Sequence, residues 1–226
     1  MLTIKRFTFS PIQENTYLLY NESGDGCIID PGCYHPYERQ QLADYIKQQK
    51  LVPGLLLNTH CHLDHVFGLS WVAEKYKLTP HIHFSEKSML ELAPMNGEMW
   101  NLPFESYNGP LNWLKEDQEI KLGDDMLRVI FTPGHSPGHV CFYHVPAETT
   151  SVNKQDRVPF LIGGDVLFKE SIGRTDLPGS NHRALIESIT QKLFKLPGET
   201  IVYPGHGDIT TILYEKKHNP FLQIEI

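Results

Sequence analysis

Four times in this chain an apolar run stops at a short turn that delivers histidine or aspartate. GLLL (54–57) leads into NTHCHLDH (58–65), MLRVIF (126–131) into TPGHSPGH (132–139), FLI (160–162) into GGD (163–165), and ETIV (199–202) into YPGH (203–206). Short runs rich in branched and aromatic residues, closed by Gly, Pro or Asn, read as strands. Strand ends that each present a metal-type side chain can converge at one edge of a sheet. A layered α/β domain, its sheets covered by helices, brings such ends together.

The remaining pattern agrees with that class. TYLLY (16–20) and GCIID (26–30) flank the turn-forming NESGD and predict a hairpin, which DPG (30–32) stops. ERQQLADYIKQQK (38–50) places Leu42, Tyr45, Ile46 and Gln49 on one face of a helix, and GLSWVAEKYK (68–77) predicts a second. PHIHF (80–84), HVCFYHV (139–145) and RVPFLIGGD (157–165) read as further strands. SNHRALIESITQKLFKL (180–196) is the clearest helix, with Leu185, Ile189, Leu193 and Leu196 in a stripe and Ser180 or Asn181 as cap. The segment from 86 to about 115 predicts irregular structure rich in Met and aromatics, and ITTILYEKKHNPFL (209–222) one terminal helix. No composition break or linker divides the chain, so residues 1–226 are expected to form a single domain.

Within THCHLDH the spacing is informative. Side chains two apart in an extended segment point the same way, so His60 and His62 can grip one ion while Cys61 faces elsewhere. If a helix follows, Asp64 and His65 are displaced together and suit a second ion. His135 can complete the first site, His206 the second, and the two oxygens of Asp165 can bridge them. Imidazole with carboxylate suits zinc, iron or manganese, and the lack of thiolate ligands leaves positions open to water. Two ions about 3.5–4 Å apart can share a hydroxide that is nucleophilic at neutral pH. His35, His81, His83, His144, His182 and His218 read as ordinary residues; His139 is the one that could support a ligand from behind.

Composition excludes other classes. A net charge of -7 with no basic block argues against a nucleic-acid partner. The 4 cysteines show neither zinc-ribbon spacing nor disulfide density, as expected of reduced thiols in a cytoplasmic protein. The N-terminal residues contain no apolar leader core, and no run approaches the roughly 18 apolar residues of a membrane span.

Taken together, THCHLDH, TPGHSPGH, GGD and YPGH resemble the metallo-β-lactamase superfamily of hydrolases, and within it the glyoxalase II-like branch, the hydroxyacylglutathione hydrolases. The resemblance runs from ENTYLL and IIDPG to NPFL. It implies a four-layer αββα sandwich with two divalent metal ions, zinc first. His60, His62 and His135 match the first site, Asp64, His65 and His206 the second, and Asp165 the bridge. It implies hydrolysis of a small-molecule thioester such as S-D-lactoylglutathione by a metal-bound hydroxide that Asp64 orients, with no nucleic-acid or membrane partner. Asp64 also separates this branch from many true β-lactamases. Typical glyoxalase II proteins continue into a helical domain that holds glutathione; here residues 207–226 follow the last metal histidine, so another thioester carrier is equally consistent. In KESIGRTDLPGS (169–180), where the family places a substrate-facing loop, Arg174 either clamps a substrate carboxylate or pairs with Asp176. A mononuclear iron persulfide dioxygenase of the same superfamily shares the metal motifs and the GRTD loop and stands as the alternative; a non-catalytic metal-binding scaffold is a third reading.

Overall fold

A computed structural model describes residues 2–146 and 158–223. The chain divides into two compact units, Met1–Leu114 with Leu122–Asp124, and Lys115–Lys121 with Asp125–Ile226.

The first unit is built on a six-stranded sheet ordered β1 to β6 in sequence. Strands β1 (Thr3–Phe9), β2 (Glu14–Tyr20) and β3 (Asp25–Ile29) form an antiparallel meander, and the expected hairpin is its second turn. β4 (Val52–Leu57), β5 (His81–His83) and β6 (Asn112–Leu114) then add in parallel, which requires a crossover each time. Helices supply those crossovers: α1 (Pro36–Gln48), then α2 (Leu63–Val66) with α3 (Leu69–Tyr76), then α4 (Lys87–Met99). Leu42 and Ile46 of α1, Leu69 and Val72 of α3, and Leu90 and Ala93 of α4 share one core with Leu18, Ile28 and Leu56 of the sheet.

Helix α4 corrects the expectation of irregular structure over 86 to about 115. Pro94 lies inside it and Gly97 near its end, and both residues weaken a helix read from sequence alone. What holds it is its buried stripe of Met89, Leu90, Ala93 and Gly97. Gly97 has a packing reason, since a Cβ there would lie 2.7 Å from the Leu102 carbonyl oxygen.

The second unit also carries a six-stranded sheet. β7 (Glu119–Leu122), β8 (Asp125–Phe131), β9 (Val140–His144) and β10 (Phe160–Gly164) are followed by the small hairpin β11 (Leu167–Phe168) and β12 (Ser171–Ile172). After α5 (His182–Gln191) come β13 (Ile201–Pro204), β14 (Thr210–Thr211) and α6 (Ile212–His218). The sheet order is β14-β13-β10-β9-β8-β7. β10 and β13 are parallel and joined through α5, while β8, β9 and β10 alternate in direction. Arg157, where the third expected strand was to begin, lies outside the described residues.

The long predicted helix is shorter than its apolar stripe. α5 ends at Gln191, Lys192 takes φ -117° and ψ -64°, and a separate 3-10 turn spans Leu193–Lys195. The stripe still docks as one surface: Leu185, Ile189 and Leu193 are fully buried in the core of this unit. Asn181 is the cap, its side-chain oxygen accepting from the Ala184 amide at 3.0 Å. Leu185→Ala should lower stability by about 3 kcal/mol, read as a shift in urea midpoint, because the pocket is close-packed and cannot collapse fully.

The described residues contain no helix long and apolar enough to cross a membrane.

Candidate metal centre

Strand register explains which residues meet. In the first unit Ile29 of β3 pairs with Leu57 of the parallel β4, so Asp30 and the 58–60 segment leave the sheet at the same edge. β2 runs antiparallel to β3 with Tyr17 opposite Ile29, which returns Glu14 to that edge. In the second unit Gly164 of β10 pairs with Pro204 of the parallel β13, so Asp165 and His206 emerge side by side. β8 runs in the same direction as β10, and its turn into β9 closes at Phe131 opposite Val140, putting the His135 loop at the same edge. Ligands at the carboxyl ends of parallel strands are where an α/β sheet leaves room for a site.

In the first unit His60, His62, Asp64 and His65 are brought together as expected. All four are buried, and the ring centroids of His60 lie 4.8 Å from His62 and 4.1 Å from His65. His62 is the residue before α2, so the extended segment turns helical there and carries Asp64 and His65 away as a pair. Cys61 points into the apolar core, where burial raises its thiol well above the ordinary range and disfavours the thiolate a metal would need.

The His60 imidazole is held in one tautomer. Thr59 donates its hydroxyl to Asp30 Oδ2 at 2.7 Å and its amide to Asp30 Oδ1 at 2.7 Å. Its hydroxyl proton is therefore committed, and the 3.0 Å contact to His60 Nδ1 is a donation from the ring. His65 Nδ1 sits 3.2 Å from Asp30 Oδ2, within ion-pair reach of the carboxylate. The His60 ring thus offers the Nε2 lone pair, the form a metal-binding histidine takes when an oxygen holds its other nitrogen. Asp64 Oδ2 is 3.8 Å from His65 Nε2.

The second unit repeats the device. His135 donates from Nδ1 to the Arg174 carbonyl at 2.9 Å, leaving Nε2 at 3.6 Å from Asp165 Oδ2. His206 Nε2 is 3.5 Å from the same oxygen. His139 acts from behind: its Nε2 accepts from the Asp165 amide at 3.0 Å, so its Nδ1 carries the proton and donates to Thr132 Oγ1 at 3.0 Å. Each set therefore combines Nε2 donors with carboxylate oxygens in a buried setting, which is the chemistry of a divalent-cation site with zinc, iron or manganese preference. A packed core has no use for such an arrangement.

Three supporting acids escaped the sequence reading. Asp30 stands at φ 51°, uncommon for a residue with a side chain, and both its oxygens serve the histidine segment. Glu14 is fully buried with Thr16 donating to it at 2.8 Å; burial pushes its carboxyl well above the usual range, and His65 and Thr16 pull it back. Glu86, also fully buried, accepts the Cys61 amide at 2.7 Å and so fixes the backbone between His60 and His62. An acid embedded in an apolar run, as in CIIDP, was the available signal for Asp30.

Arg174 makes a bidentate pair with Asp176, at 2.7 and 2.8 Å, and both are more than half exposed. The guanidinium holds the Asp176 carboxyl down at about 2. Of the two expected roles for this side chain, the structure displays the loop-holding pair, while the backbone carbonyl of Arg174 serves His135.

The chain belongs to the metallo-β-lactamase superfamily, whose family model matches residues 10–206. The fold class expected from the sequence is thereby borne out, and hydrolase and metal-binding character follow from the membership. It is 40% identical over 220 residues to the probable metallo-hydrolase YqgX of Bacillus subtilis (strain 168), covering 96% of both chains. It is 33% identical over 223 residues to the hydroxyacylglutathione hydrolase GloC of Haemophilus influenzae (strain ATCC 51907 / DSM 11121 / KW20 / Rd), covering 98% of both. Among solved structures it resembles the BLEG-1 B3 metallo-β-lactamase, with a TM-score of 0.84 and 35% identity over 98% of this chain and 100% of that one. It also resembles TTHA1623 in a di-iron-bound form, with a TM-score of 0.81 and 35% identity over 96% and 100%.

Proposed function

We propose that this protein is a dinuclear metal hydrolase of glyoxalase II type, cleaving a small-molecule thioester such as S-D-lactoylglutathione. In this reading His60, His62 and His135 would hold one ion and Asp64, His65 and His206 the other, with Asp165 available to both. The observation that carries it is the common tautomer of His60 and His135, each with Nδ1 given to an oxygen and Nε2 offered as a donor. Likeness to GloC over nearly its whole length supports the thioester class.

Two divalent cations held there, zinc first, would polarise the thioester carbonyl and bring the pKa of water near neutrality. The chain's own part is positioning. Asp64, at the start of α2, accepts a hydrogen bond from the attacking water and orients it. Asp30, through Thr59, keeps His60 from rotating, and His139 holds the Asp165 amide in place. The leaving thiolate is a weak base, so the site needs no strong general acid. The reading also includes a cytoplasmic protein whose four buried cysteines remain reduced thiols, with neither nucleic acid nor membrane as partner.

One observation favours a second reading, β-lactam hydrolysis: the likeness to the BLEG-1 B3 metallo-β-lactamase. The deciding experiment is hydrolysis of S-D-lactoylglutathione by purified protein loaded with zinc, iron or manganese, against a chelated control, with a chromogenic cephalosporin in parallel. Chelator-sensitive thioester turnover is expected, with little or none on the cephalosporin. Cephalosporin turnover alone, or oxygen uptake with glutathione persulfide alone, would overturn the thioester assignment.

A further inference from the structure

The hairpin β11–β12 turns through Lys169 and Glu170, with Leu167 opposite Ile172 and Phe168 opposite Ser171. Two-residue turns of this kind favour glycine or asparagine where φ is positive. Here Glu170 takes φ 58°, a strained choice for a side chain that long. Three contacts from the C-terminal segment hold it there. The Glu170 amide donates to Glu215 Oε2 at 2.9 Å, the Tyr214 hydroxyl donates to Glu170 Oε1, and Asn219 donates from Nδ2 to the Ser171 carbonyl at 2.9 Å. Glu215 and Asn219 are fully buried and bonded to each other at 2.8 Å, and Thr210 donates to the second Glu215 oxygen. A buried carboxylate thus ties α6 to one strained turn through Oε2, while Thr210 of β14 holds its Oε1.

That turn sits between residues that matter to the site. The hairpin begins just after Asp165, brings the Phe168 ring within 6.4 Å of His206, and closes with Gly173 N donating to the Val166 carbonyl at 3.2 Å. The next residue is Arg174, whose carbonyl sets the His135 tautomer. We propose that Glu215 is a positioning residue: α6 latches the β11–β12 turn and thereby holds Asp165 and the Arg174 carbonyl in their working places. This rests on the metal-centre reading for its functional consequence, though the latch itself does not depend on it.

The test uses the full chain and the isosteric variant Glu215→Gln, which keeps one acceptor oxygen, with Glu215→Ala as the harsher form. Amide hydrogen exchange should rise about tenfold across residues 166–174 while β8 and β9 stay as protected as in the parent, the pattern of local rather than global opening. Zinc affinity, measured by competition with a chromophoric chelator on fully folded protein, should fall about tenfold. Glu170→Gly in the Glu215→Gln background should restore most of both, because glycine takes φ 58° without strain. Unchanged local exchange in Glu215→Gln overturns the latch, as does a uniform rise over the whole sheet, which marks Glu215 as merely structural. Faster local exchange in the variant, with no zinc bound even by the parent, keeps the latch and rejects the metal reading instead.

Discussion

Asp165→Asn should fold like the parent, retain at most half its metal, and lose turnover on the best substrate by at least about 100-fold, more than is usual for a group that only supports a ligand. The carboxylate lies almost fully buried, with Oδ2 3.6 Å from His135 Nε2 and 3.5 Å from His206 Nε2. A dication shared among these groups relies on that charge, and an amide of the same shape cannot supply it. Folding should survive because the Asp165 backbone amide, which donates to His139 Nε2, is left intact by the substitution. Metal analysis after gel filtration, with a circular dichroism spectrum and the thermal midpoint, separates the two effects. Full metal content with full activity would remove Asp165 from the centre and the dinuclear reading with it.

Gly173→Ala should cost about 2–3 kcal/mol of stability and deplete metal as well. A Cβ at this position would stand 1.9 Å from the Asp165 carbonyl oxygen and 3.1 Å from His135 Cβ, and the first of these is backbone that cannot rotate away. The segment would have to separate, breaking the Gly173–Val166 closure and moving the Arg174 carbonyl off His135 Nδ1. The sign is set by a clash rather than by conformational freedom, since Gly173 is not among the positive-φ glycines. Urea unfolding with and without added zinc reads both consequences. If the variant matches the parent in midpoint and metal content, the close approach of these two backbones has no bearing on the site.

Much of the architecture could be read from local chemistry. The hairpin ending at Asp30, the stripe of α5 and the strand runs before His60, His135, Asp165 and His206 all appear where periodicity and turn residues put them. Helix α4 was hidden by Pro94 and Gly97, because its stability comes from burial of Leu90 and Ala93 and not from propensity. β1 carries no turn signal of its own and exists as a strand because β2 offers a ladder to it.

The donor set was legible because metal ligation restricts residue type so tightly: HxHxDH with three strand-end partners serves no packing purpose. Its supports were hidden by distance along the chain. Thr59 meets Asp30 across 29 positions, Cys61 meets Glu86 across 25, and Asp165 meets His139 across 26. Sequence by itself therefore determined the candidate donors, the strands that carry them and the family. Tertiary structure alone decided which nitrogen each of His60 and His135 offers, and why Arg174 contributes through its carbonyl. A tautomer is chosen by the oxygen facing the other ring nitrogen, and that oxygen arrives only when strand register closes.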